Sequence, residues 1–102
     1  MATLEDLTER VRAAVSTGAD LGLSVKLDFR GEGFIHVDGD RVSNEDAPAD
    51  LTVSITRGDL VAMGKRQLDP TRALMTGRMK LSNMGLAMSI QPKIQALFAR
   101  LA

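Results

Sequence analysis

The sequence predicts an α+β domain: one sheet, helices on one face, and a methionine-rich apolar concavity between them. Three observations carry this. Leu23 to Phe29, Leu51 to Ile55 and Met79 to Leu81 alternate apolar and polar residues, the period of half-buried strands. Amphipathic helical spacing occupies both ends of the chain. Met63, Met75, Met79, Met84 and Met88 crowd one segment, the sixth methionine being Met1. The 102 residues have room for one core, so residues 1–102 are expected to form a single domain.

Thr3 with Asp6 resembles a capping box. Leu4, Leu7, Val11, Ala14 and Val15 follow at helical spacing, and Gly18 ends the run. Leu23, Val25, Leu27 and Phe29 then point to one side of a strand. Gly31-Glu32-Gly33 turns the chain into Phe34-Ile35-His36-Val37, and Asp38-Gly39-Asp40 returns it through Arg41-Val42-Ser43. Two adjacent hairpins imply an antiparallel meander with one wet face. Asn44 to Asp50 is a solvated connector. Its carboxylates lack the glycine and terminal glutamate of an EF-hand loop, so no metal site is expected.

Leu51, Val53 and Ile55 form the next strand. Thr56 with Asp59 repeats the capping arrangement before a short helix through Leu60 and Met63. Asp69-Pro70 then restarts the chain, aspartate as cap and proline at the first helical position. These two helices are each too short to persist alone and must dock on the sheet. Gly77 suits the left-handed residue that closes the second. Met79 and Leu81 alternate with Arg78, Lys80 and Ser82 as a strand, and Asn83 caps a helix from Met84. Pro92 either kinks that helix or begins another. Ile90, Ile94, Leu97, Phe98 and Leu101 share one face of the amphipathic tail.

Composition narrows function. Apolar content is 44% and charged content 25%, ordinary for a globular domain. Cysteine is absent, which removes disulfides, thiolate catalysis and cysteine-based zinc sites. No apolar run reaches the ~20 residues of a membrane span, and the N-terminus is acidic where a signal peptide is basic. A cytoplasmic protein is expected. Phe29, Phe34 and Phe98 are the only aromatics, too few for a base-stacking platform, so nucleic acid is not an expected partner. The lone His36 has no triad partners, and no phosphate loop, zinc-ligand spacing or nucleophile elbow is present. An enzyme is not expected, nor any cofactor, metal or catalytic residue.

Charge is zero overall but polarised. Residues 1–56 carry eleven acids and five bases, whereas residues 57–102 carry two acids and eight bases. The basic half is also the methionine half. A cationic rim around an apolar hollow suits a ligand with an acidic head and a greasy body, or an anionic membrane surface. Methionine adapts to ligands of varied shape. Periodicity alone leaves these methionines two roles, lining a hollow or filling the core.

Residues 50–90 resemble the sterol carrier protein type 2 family of nonspecific lipid-transfer domains. The likeness rests on Asp50-Leu51-Thr52-Val53-Ser54-Ile55 leading to Asp59-Leu60 and on Leu68-Asp69-Pro70. It continues in Leu74-Met75-Thr76-Gly77-Arg78-Met79-Lys80-Leu81 and Asn83-Met84-Gly85-Leu86-Ala87-Met88, and is looser over the first hairpin. The resemblance implies a five-stranded, mostly antiparallel sheet with helices on one face enclosing an apolar tunnel. It implies non-covalent binding of fatty acids, fatty acyl-CoA, sterols or other lipids. Carried over residue by residue, Leu60, Met63, Leu74, Met75, Met79, Leu81, Met84, Leu86 and Met88 are ligand-binding candidates. Leu97, Phe98 and Leu101 join them from their periodicity at the position of the family's C-terminal lid. The short chain, the missing Ser-Lys-Leu ending and the lack of tryptophan in the first hairpin point to a compact bacterial form. The alternative is a dimerisation or accessory module for a lipid- or isoprenoid-quinone-handling enzyme. Expected partners are thus an apolar small molecule, an anionic membrane met through the basic half, and a second copy of the chain.

Overall fold

In the computed structural model, residues 3–16, 21–39 and 41–101 are described. The helix stop expected at Gly18 lies outside them, as does Asp40 of the second hairpin turn. The first helix, α1 (Leu4–Ser16), starts where the capping box places it. Asp6 N–H donates to Thr3 Oγ1 at 3.1 Å, and Thr3 N–H donates back to Asp6 Oδ2 at 3.3 Å. Two orphan donors of the first turn are thereby satisfied. Leu7, Val11, Ala14 and Val15 are buried, the face the spacing selects.

Three strands follow: β1 (Val25–Asp28), β2 (Phe34–Asp38) and β3 (Arg41–Ser43). They pair antiparallel in sequence, as a meander should. The next strand, β4 (Leu51–Ile55), does not extend the meander beside β3. It pairs parallel with β1 instead. The connector 44–50 makes this turn back by crossing the polar face of the sheet. There His36 Nε2 lies 3.0 Å from the Pro48 carbonyl, and Lys26 forms an ion pair with Asp46 at 2.6 Å. Ser24 and Asp50 then exchange hydrogen bonds: Ser24 N–H to Asp50 Oδ2 at 3.1 Å, Asp50 N–H to Ser24 Oγ at 2.8 Å. That clasp sets the register Val25↔Leu51. Asp46 and Asp50 of the connector are thus structural.

The chain continues through α2 (Arg57–Gly64), α3 (Pro70–Met75), the edge strand β5 (Met79–Leu81), α4 (Met84–Ser89) and α5 (Gln91–Leu101). β5 pairs antiparallel with β4, completing a five-stranded sheet ordered β3-β2-β1-β4-β5. Three of the four pairings are antiparallel. Side chains alternate across it. Val25, Leu27, Ile35, Val37, Leu51, Val53 and Ile55 are buried toward the helices, and Lys26, Asp28, His36, Thr52 and Ser54 lie half-buried on the other face. This alternation marks a sheet with one core-facing side.

The buried apolar residues form one contiguous cluster, with α5 packed against both α1 and α2 above the sheet. Leu60, Leu97, Phe98 and Leu101 are almost fully removed from water. The other end of the sheet, around β5, has thinner cover. There α3 and α4 span only six residues each, and Met75, Met84 and Met88 face solvent.

Candidate functional site

Both short helices are fixed by local chemistry. Asp69 accepts a hydrogen bond from Thr71 N–H at 3.2 Å, and Pro70 supplies a preset φ at the first position of α3. Gly77 at φ 75° carries the chain out of α3 through the left-handed region. Asn83 caps α4 by accepting from Leu86 N–H at 3.0 Å. Pro92 has no N–H to give the Met88 carbonyl, so the helical ladder breaks at Ile90 and α5 begins at Gln91.

Between these elements lies a half-open apolar cleft of about 90 Å³. α3 presents Pro70, Thr71 and Leu74 to it, and α4 presents Met84, Ala87 and Met88. α5 contributes Gln91, Ile94, Gln95 and Phe98, at i, i+3, i+4 and i+7 of one helical face. Val53 and Met79 with Leu81 reach up from the sheet, and Met63 closes one end from α2. The walls hold no charged side chain. Their polar atoms belong to Thr71, Gln91 and Gln95, and the Gln95 Nε2 donates to the Met63 carbonyl at 3.2 Å. Among the described residues no cluster of His, Asp or Glu could hold a metal ion, and no helix is long and apolar enough to cross a membrane. The cleft has the chemistry to shelter an apolar group and no acid or base to act on one.

The twelve ligand-binding candidates divide on this geometry. Met63, Leu74, Met79, Leu81, Met84, Met88 and Phe98 line the cleft. Leu60, Leu97 and Leu101 sit in the packed core beside it, at 0%, 1% and 0% exposure. Met75 and Leu86 lie outside its walls. Helical geometry explains the last pair. Leu86 follows Met84 by two residues, and Met75 follows Leu74 by one, spacings that point to different sides of a helix. Met75 is 82% exposed. Sequence reasoning passed over Val53, Pro70, Thr71, Ala87, Gln91, Ile94 and Gln95 as wall residues. Ile94 and Phe98 belong to the apolar face that the helical spacing selects, and Gln91 and Gln95 lie beside them at the same period.

A sheet with one polar face and, on the other, an uncharged slot beneath short helices defines a domain built to hold an apolar ligand. The model of the SCP-2 sterol transfer family matches residues 1–95, and the chain belongs to that family of lipid-binding and lipid-transfer domains. Sterol carrier protein 2 of Oryctolagus cuniculus is 39% identical over 54 residues, which cover 52% of this chain and only 10% of that much longer protein. Sterol carrier protein 2 like 2 of Aedes aegypti superposes with a TM-score of 0.67 at 23% identity, over 84% of this chain and 90% of that one. The UbiJ-SCP2 ubiquinone synthesis protein does so with a TM-score of 0.58 at 21% identity, over 89% of this chain and 79% of that one. At these identities the two structures establish a common fold.

Proposed function

We propose that this protein is a non-enzymatic carrier that binds one lipid chain, such as a fatty acid, an acyl-CoA or a sterol-like molecule, in the cleft under α3 and α4. The observation that carries this is an uncharged slot walled by two six-residue helices, with Leu74 on α3 and Met84 and Met88 on α4. Ligand pockets commonly enclose ~300–1,000 Å³, several times the hollow present here. A long chain therefore enters by parting α3 from α4, and unbranched methionines close around whatever length is admitted. Each buried methylene contributes about 0.8 kcal/mol, so affinity rises with tail length rather than with polar recognition.

Titration with a fluorescent long-chain fatty acid tests this directly. Saturable, one-to-one binding that strengthens from ten to sixteen carbons is expected. A signal no greater than that of an unrelated control protein would sink the carrier reading. Native mass spectrometry of the purified protein is expected to show the monomer mass with lipid attached. A doubled mass without lipid would favour the dimerising accessory module instead.

Loading from a membrane fits the same surface. Met75, Met84 and Met88 are exposed around the cleft, and residues 70–102 contain no acid to repel an anionic bilayer. Apolar side chains inside a cationic rim bind such surfaces weakly and reversibly. Co-sedimentation with phosphatidylglycerol vesicles that fades with added salt is the expected result; equal sedimentation with neutral vesicles would refute the electrostatic part.

A further inference from the structure

At the α2 end, where Met63 closes the cleft, a second and wetter hollow of about 580 Å³ adjoins it, edged by Arg66, Arg72, Gln67 and Asp69. Met63, Pro70, Gln91 and Gln95 line both spaces, so only these side chains stand between the apolar slot and the polar hollow.

The arginines at this mouth differ from most others in the chain. Arg10, Arg12, Arg30, Arg57 and Arg100 each donate to a protein carbonyl or carboxylate. The guanidinium groups of Arg66 and Arg72, like those of Arg41 and Arg78, have no hydrogen bond or ion pair with any described residue, and of these four only Arg66 and Arg72 border the hollow beside the cleft. Arg66 also holds a left-handed backbone, φ 61°, just beyond α2. Glycine adopts that conformation at no steric cost and is the usual residue there. Here it closes α2, with Arg66 N–H donating to the Met63 carbonyl at 3.0 Å and Gln67 N–H to the Ala62 carbonyl at 2.8 Å, and the turn sets Arg66 at the edge of the hollow. Asp69 is the only carboxylate on the rim, and its Oδ1 is engaged as the cap of α3, accepting from Thr71 N–H.

We propose that Arg66 and Arg72 form a head-group subsite for a single-chain anionic amphiphile, taking its carboxylate or phosphate while the tail lies in the cleft. This rests on the carrier reading and narrows it. Guanidinium forks match the planar oxygens of carboxylate and the paired oxygens of phosphate. Gln67 and Gln91 line the same hollow and carry neutral amide donors. An uncharged ester or alcohol with the same tail gains only the cleft.

The test compares palmitate, hexadecyl phosphate and methyl palmitate on the wild type and on the double variant Arg66→Asn/Arg72→Gln. Asparagine tolerates the left-handed backbone, and both positions are exposed, so the fold is retained. The wild type is expected to bind the two anions about tenfold more tightly than the ester, a preference that shrinks with salt. The double variant loses that preference and keeps its affinity for the ester. If acid and ester bind the wild type equally, the subsite is refuted and the carrier reading stands. If the variant weakens acid and ester alike, the arginines serve the cleft rather than the head group, and the proposal fails. If neither palmitate nor its ester binds, the carrier reading falls and takes the subsite with it. Inorganic phosphate is expected not to compete with hexadecyl phosphate at millimolar concentration; strong competition would make this a free-anion site and overturn the lipid assignment.

Discussion

Filling the hollow is expected to separate stability from binding. Ala87 is 6% exposed on α4 and lines the cleft. The substitution Ala87→Leu costs α4 little, because leucine is nearly as good a helix former as alanine. The cleft is half-open and about 90 Å³ in volume, and leucine's three additional carbons gain about 2 kcal/mol when buried there, at about 0.8 kcal/mol each. Imperfect fit takes back a share, since overpacking costs about 1–3 kcal/mol. The net expectation is a gain of about 1 kcal/mol, which raises the melting temperature by ~4–8 °C in a domain of this size. The same atoms displace a few ligand methylenes, worth about 2 kcal/mol or roughly thirtyfold in affinity. Scanning calorimetry and fatty-acid titration on one preparation read both effects. A lower melting temperature with unchanged affinity would show that the space at Ala87 is already occupied and that ligand binds elsewhere.

The remaining expectations concern the cleft walls, the core and one turn. Met84→Glu places a carboxylate on the cleft wall and is expected to weaken methyl palmitate by about tenfold through the desolvation it forces, whereas Met75→Glu, on a side chain outside the walls, changes affinity less than about twofold; equal losses in fluorescence titration would place Met75 at the ligand after all. Leu60→Ala is expected to cost about 3 kcal/mol in urea unfolding, as a fully buried leucine should. A loss under about 1 kcal/mol would show that the site collapses around the deletion. Gly33→Ala is expected to cost about 1–3 kcal/mol, because Gly33 has φ 126° and an added Cβ would stand 2.5 Å from Leu4 Cδ2. An unchanged urea midpoint would mean that Leu4 yields freely.

Local chemistry was legible and the assembly was not. The caps at Thr3, Thr56, Asp69 and Asn83 are found where the residue types put them, since a cap is a bond between neighbours three positions apart or fewer. The alternation from Leu51 to Ile55 is likewise found as a strand. The place of that strand was hidden. An antiparallel continuation and a parallel return to β1 present the same alternation, and the choice is made by Ser24 with Asp50 and Lys26 with Asp46, pairs twenty or more residues apart.

The cleft shows the same division. Its methionines were conspicuous as residue types, but adjacent positions on a helix point apart, and only the docked helices decide which side faces inward. Leu74 turns to the slot and Met75 to solvent; Phe98 turns to it and Leu97 to the core. By itself the sequence determined where the capped helices begin, which stretches alternate as strands, and that the covering helices would be short. Tertiary structure alone decided that a hollow remains beneath them, because its walls join Val53 to Phe98 across the fold and no rule acting within a few residues can reach that far.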